Sequence, residues 1–120
     1  IYFLFILISF YSFSQKNNAS YKVGESLKYR ISYGILNAGI ATLEVQNHIE
    51  KNDTLFHVKG KGWTTGMVDL FFPVLDIYET YIDKKTKKPV HFIRKINEGG
   101  YKKDKEIFFD YESLQANVIN

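Results

Sequence analysis

GKGWTTGMVDLFFPVLDIYETYID, residues 60–83, is the stretch on which the reading of the fold turns. It carries the only Trp, the only Met, one of the two Pro and a dense run of large apolar side chains, yet it has no clean period of two. Both flanks alternate like strands, so the stretch reads as a packed connection inserted between two strand regions. Thr64 and Thr65 can cap a short helical turn in which Met67, Leu70 and Phe71 share a face, and Pro73 would end it. The expected product is one or two helical turns laid over an open end of a sheet.

Upstream, Leu27, Tyr29, Ile31 and Tyr33 alternate with Lys28, Arg30 and Ser32, the pattern of a half-buried strand. GILNAG then breaks the alternation and predicts a turn or bulge, because Gly34 and Gly39 supply backbone freedom and Asn37 tolerates a left-handed conformation. A second strand runs from about Ile40 to Ile49, with Ala41, Leu43, Val45 and Ile49 inward, and EKNDT reverses it. The third, Leu55 to Gly62, puts Phe56, Val58, Gly60 and Gly62 on one face. Glycines on an inner strand face leave space. Trp63 or the Phe71 and Phe72 pair is expected to fill it, with Trp63 mostly buried against the sheet.

Downstream, residues 76–83 alternate without revealing which side is inward. DKKTKKP is a solvated loop or an edge-protecting device. A fifth strand spans Val90 to Asn97, NEGG with the following KKD forms a loop, and a sixth strand spans Lys105 to Tyr111. Short strands joined by charged or Gly-containing turns predict a mainly β fold. The architecture is an antiparallel curved sheet or incomplete β-barrel with a short helical connection, truncated at the C-terminus.

The N-terminal run IYFLFILISFYSF is shorter than the roughly twenty residues that span a bilayer. It fits the core of a secretory signal peptide whose basic start is missing, with a buried strand or helix as the alternative. Ser12 and Ser14 stand at the small-residue positions before a cut preceding Gln15. The expected organisation is a signal peptide at 1–14, a polar linker at 15–20, and the N-terminal part of one β domain at 21–120, with no transmembrane span in the mature chain. Zero Cys removes disulfides, thiolate metal sites and lipid attachment through a cysteine.

The net charge of +3 is dispersed through Lys-rich turns, and aromatics make up 17% of the chain. Aromatics interleaved with Lys can signal binding to single-stranded nucleic acid. Here they segregate to opposite strand faces, so core plus solvated surface is the reading and no nucleic acid is expected.

Catalytic chemistry finds little support. Asp69, Asp76, Glu79 and Asp83 could supply an acid and base pair, but no motif positions them. His48, His57 and His91 lie on separate strands without the spacing that holds zinc through one rigid element, and read as isolated surface histidines. No Ser lies in a nucleophile elbow, and Gly60 with Gly62 makes only a GxG. No catalytic residue, metal site or cofactor is expected, and the chain is not read as an enzyme.

KVGESLKYRISYGILNAGIATLEV, GKGWTTGMVDLFF, DIYETYID and FIRKINEGGYK together resemble an exported bacterial family known as domain of unknown function 3108. The resemblance covers about Tyr21 to Tyr111, roughly the first half of such a domain. It implies a periplasmic or outer-envelope protein of a Gram-negative, Bacteroidetes-like bacterium, with a curved antiparallel sheet and no established site residues. By fold analogy alone, half-open barrels that carry acyl chains are a distant parallel.

Two functions follow. In one, Tyr29, Tyr33 and Phe56 line a curved sheet, and Trp63, Met67, Leu70, Phe71 and Phe72 cover it as a lid over an apolar or lipid-like ligand. The same cover would equally serve as ordinary core. In the other, the domain is a non-catalytic assembly module that meets an envelope protein partner through a sheet edge or the aromatic connection. A cavity beneath the connection favours the carrier, a filled interior with an exposed apolar patch favours the module, and converging carboxylates or histidines favour an enzyme.

Overall fold

The computed structural model describes residues 21–120. The expected signal peptide and linker lie outside the described residues. Seven strands form a single antiparallel sheet in strict chain order: β1 (Ser26–Tyr33), β2 (Leu36–Glu50), β3 (Asp53–Thr64), β4 (Leu75–Asp83), β5 (Pro89–Glu98), β6 (Tyr101–Asp110) and β7 (Gln115–Ile119). One helix, α1 (Gly66–Phe71), joins β3 to β4. Among the described residues the sheet does not close, and β1 and β7 stand at its two ends.

Three hairpins use two-residue turns. Lys51 and Asn52 both have positive φ between the paired Glu50 and Asp53, as do Gly99 and Gly100 between Glu98 and Tyr101. These are the turns whose twist matches that of the strands. Gly34 alone supplies the positive φ between Tyr33 and Leu36. Strand pairing therefore reaches further than alternation alone suggests. GILNAG is mostly strand, with the expected irregularity falling between Ile31 and Ser32, and KKD at 102–104 belongs to β6, leaving only the glycine pair as turn. ESLQANVIN also contains a strand, β7, which pairs Phe109 with Ala116 and Ile107 with Val118.

The register divides the side chains into two faces. Val45, Val58, Thr80, Phe92, Ile107 and Val118 form one row across the middle of the first face. Phe56 and Ile82 lie on one side of that row, and Leu43, Gly60 and Tyr78 on the other. Among the described residues, the buried hydrophobic side chains are Val45, Leu55 and Phe56. Most of the remaining apolar surface of this single layer is half-buried or open.

The connection crosses the end of the sheet. Thr65 N–H donates to the Ala38 carbonyl at 3.0 Å, and Gly99 N–H donates to the Pro73 carbonyl at 2.8 Å, so the segment is tied to β2 on one side and to the β5–β6 turn on the other. Thr65 is the N-cap residue but makes no side-chain cap bond. Thr64 instead donates from Oγ1 to Asp69 Oδ1 at 2.7 Å and accepts Val74 N–H at 2.7 Å, bracing both ends of the connection. Gly39 is required by close approach, because a Cβ there would lie 2.5 Å from the Trp63 carbonyl oxygen. Gly39→Ala is expected to destabilise the fold by about 1–3 kcal/mol in chemical denaturation.

Two aspartates close the longer loops in the same way. Asp83 Oδ1 accepts the N–H of Thr86 at 2.6 Å and of Lys85 at 2.8 Å. Asp110 accepts the Ser113 hydroxyl at 2.7 Å and the N–H groups of Glu112 and Ser113. Hydrogen bonds from Thr86 hold the Asp83 carboxyl below its ordinary value of 3.8. A depressed carboxyl contributes stability above its unfolded pKa and loses it as pH falls through the folded value. The stability difference between the parent and Asp83→Ala should therefore be present at pH 6 and shrink as the pH is taken below 3.8, measured by urea unfolding at each pH.

Candidate functional site

The end of the sheet under α1 carries an open pocket of about 260 Å³. It is lined by Ile31 of β1, Ala38 and Gly39 of β2, Gly62, Trp63 and Thr64 of β3, Val68 of α1, and Val74 and Asp76. Its floor exists because small residues stand opposite one another: Ala41 pairs with Gly62, and Gly62 with Asp76. A Cβ at Gly62 would meet nothing within 4 Å, so the expected free space is present there. At Gly60 a Cβ would touch Leu43 and Tyr78 at ordinary contact distance, so that position is covered by its neighbours.

Trp63 does not occupy this space. It follows Gly62 by one residue in a pleated strand, so its side chain belongs to the opposite face, in line with Ile40 and Leu75. There it is half-buried, not mostly buried, with Lys61 Nζ 5.0 Å from the ring centre. Of the helix, Val68 faces the pocket, while Met67, Leu70 and Phe71 are 63%, 80% and 82% exposed. Phe72 is partly exposed and its ring lies against Gly99, where any Cβ would collide with it.

The three sheet residues of the expected wall are dispersed. Tyr29 stands beside the pocket row, paired with Ala41, while Tyr33 is at the exposed end of β1. Phe56 is buried at the far end, edge-on to Tyr21 at 5.2 Å, with Lys84 and Lys87 over its ring.

Beside the pocket, Asp76 Oδ1 accepts Asn97 N–H at 3.1 Å. Glu98 hydrogen-bonds the Asp76 carboxyl, and that bond, followed by the repulsion between the two groups and by burial, pushes Glu98 above its ordinary value of 4.5 while Arg94 pulls it down. The other carboxylates do not converge with this pair: Asp69 binds Thr64, Glu79 lies on the opposite face beside His57, and Asp83 closes a loop. Among the described residues no group of three His, Asp or Glu is placed to hold a metal ion.

The opposite face holds an arrangement the sequence reading missed. His57, Tyr81, His91 and Phe108 are consecutive register partners on β3 to β6, and their rings stack across the sheet. Centroid distances are 4.5, 5.4 and 4.1 Å, with interplanar angles of 4°, 14° and 11°. His48 closes one end, edge-on to Tyr81 at 4.8 Å. His57 and His91 are therefore members of one row and His48 packs against it, which corrects their reading as isolated surface residues. Carboxylates line that row: His57 Nε2 lies 3.1 Å from Glu79 Oε1, and His91 Nε2 lies 3.4 Å from Glu106 Oε2. Burial, then the charges of Glu79 and Glu50, push the Tyr81 phenol up. With their Nε2 atoms engaged and their faces stacked, the rings form a structural seam. Tyr81→Ala removes two stacked contacts and should cost about 1–3 kcal/mol in unfolding free energy, whereas Tyr81→Phe should retain most of it.

No curated protein and no solved structure matches the chain. The model of a family described as "Protein of unknown function (DUF3108)" matches residues 28–120, from the second residue of the β1 alternation through β7. That span includes the pocket, the stacked row and every hairpin, and the chain is a member of the DUF3108 family.

Proposed function

We propose that the protein is an exported envelope domain that binds an apolar, lipid-like ligand on the first face of the sheet, without covalent chemistry. The observation that carries this reading is the pocket of about 260 Å³ under α1, floored by Gly62 and walled by Ile31, Ala38, Val68 and Val74. Its size falls just below the roughly 300 Å³ at which ligand pockets begin, and its walls are mostly apolar with a few polar groups, as such sites are. Next to it the same face continues through Leu43, Gly60 and Tyr78, with Leu43 and Tyr78 partly exposed, so a chain longer than the pocket has apolar surface to follow. In this reading Val68 presses on the ligand and α1 is the cover. The apolar run Ile1–Phe13 supports export, and a periplasmic or outer-envelope setting follows from it.

A second reading, contact with another envelope protein, draws on the outward side of α1. Met67, Leu70 and Phe71 project into solvent from six helical residues, an apolar patch of the kind partners cover.

A substitution separates the two. Gly62→Phe places a ring in open space on a strand, so folding should be retained while binding of an acyl chain falls by about tenfold or more, the equivalent of about 1.4 kcal/mol. Native mass spectrometry of the exported protein, alone and with added dodecanoate, reads the result. Bound acyl species in the parent that disappear in Gly62→Phe support the pocket; ligand-free spectra throughout would rule it out.

A further inference from the structure

Arg94 sits on the same face as the pocket, in the middle of β5. Its register partners are Tyr78 on β4 and Lys105 on β6, and its neighbours along the same face of β5 are Phe92 and Ile96. Phe92, Ile96 and the Tyr78 ring flank the guanidinium on three sides, with Lys105 on the fourth and Glu98 near enough to feel its charge. Its Nε is buried and has no hydrogen-bond partner. Arg94 also makes no ion pair with the described residues.

The nearby carboxyls do not resolve this. Glu98 senses the charge of Arg94 but is turned to Asp76, and neither carboxyl forms an ion pair with the guanidinium. Across the strand the neighbour is a second cation, Lys105, and Lys103 faces Ile96 on the same side. Like charges directly opposite one another weaken a sheet, and a buried donor without an acceptor weakens it further. Both costs fall when an anion lies between Arg94 and Lys105, because a charge-assisted bond to guanidinium is among the strongest available in a partly dry site.

The location relative to the pocket is equally specific. Arg94 is two strands from Gly60 and Gly62, roughly 10 Å across the sheet at the usual strand spacing. A head group at Arg94 would leave its attached chain over Tyr78 and Gly60, leading into the space above Gly62. We propose that Arg94 and Lys105 form the head-group site for an amphiphile with an anionic end, a carboxylate or phosphate, whose apolar chain occupies the pocket under α1. This rests on the apolar-binding reading above and adds the ligand's charge and orientation.

The test uses the full chain and three probes of equal chain length: dodecanoate, dodecyl phosphate and dodecan-1-ol, titrated by calorimetry. At least one anion should bind about tenfold more tightly than the alcohol, the increment expected of one charged hydrogen bond. The anion that binds more tightly identifies the head group. Arg94→Gln should erase that preference, bringing the anion's affinity down to that of dodecan-1-ol. Lys105→Glu, a half-buried position on the same strand pair, should do the same and serves if Arg94→Gln does not fold. The preference should also shrink as salt is raised, since screening shortens from about 10 Å at 0.1 M to about 3 Å at 1 M. Equal affinity for all three probes would overturn the head-group site and leave apolar binding intact. A preference that survives both substitutions would likewise overturn it. Failure of every probe to bind would overturn the apolar reading itself, and the head-group site with it.

Discussion

The pairing of β2 with β3 is the constraint on which the rest of the structure depends. Twelve register pairs run without interruption from Glu50 with Asp53 to Gly39 with Thr64, pinned at one end by the Lys51–Asn52 turn. Side chains alternate along both strands, so this one register decides the contents of both faces. It sets Ala41 against Gly62 and Leu43 against Gly60 on the first face, and Gln46 against His57 on the second. A slip by a single residue would move Gly62 off the pocket floor and His57 out of the stacked row. Pocket and seam are consequences of the same turn.

The two faces then divide the work. Across its middle strands the second face is internally satisfied: rings stack on rings, and His57, Lys59 and His91 meet Glu79 and Glu106. The first face is not. Its middle row is apolar on five of six strands, its helix end opens into a cavity, and its one arginine has a buried donor with no acceptor. The helix contributes less than its composition suggests, since six residues tied down at both ends turn only Val68 toward the cavity.

Much of the fold was legible because period-two alternation and turn chemistry are local. The alternation of β1, the small-residue face of β3, the reversal at EKNDT and the helical turn ended by Pro73 all emerge from residues a few positions apart. Errors gathered where local signals are weak. Lys102 and Lys103 look like loop residues, yet on an open sheet strand lysines meet water as easily as loop lysines do, and the Gly99–Gly100 turn needs only two residues. β7 was overlooked for a similar reason: its five residues acquire strand character from pairing with β6. Trp63 was drawn toward the glycines by proximity in sequence, although strand parity places it on the other face.

The sequence by itself determined the mainly β architecture, the position of the helical connection, the space at Gly62 and membership of a recognisable family, because each is written in patterns of neighbouring residues or in a contiguous match. Only the tertiary structure decided which strand rows line up across β3, β4 and β5. The first of those joints runs through a helix and the second through a loop with a register shift at Tyr81 and Ile82, so counting residues cannot carry parity across them. For that reason the stacking of His57 on Tyr81 and His91, the approach of Glu98 to Asp76, and the placement of Arg94 beside Tyr78 on the apolar face were set by long-range pairing alone.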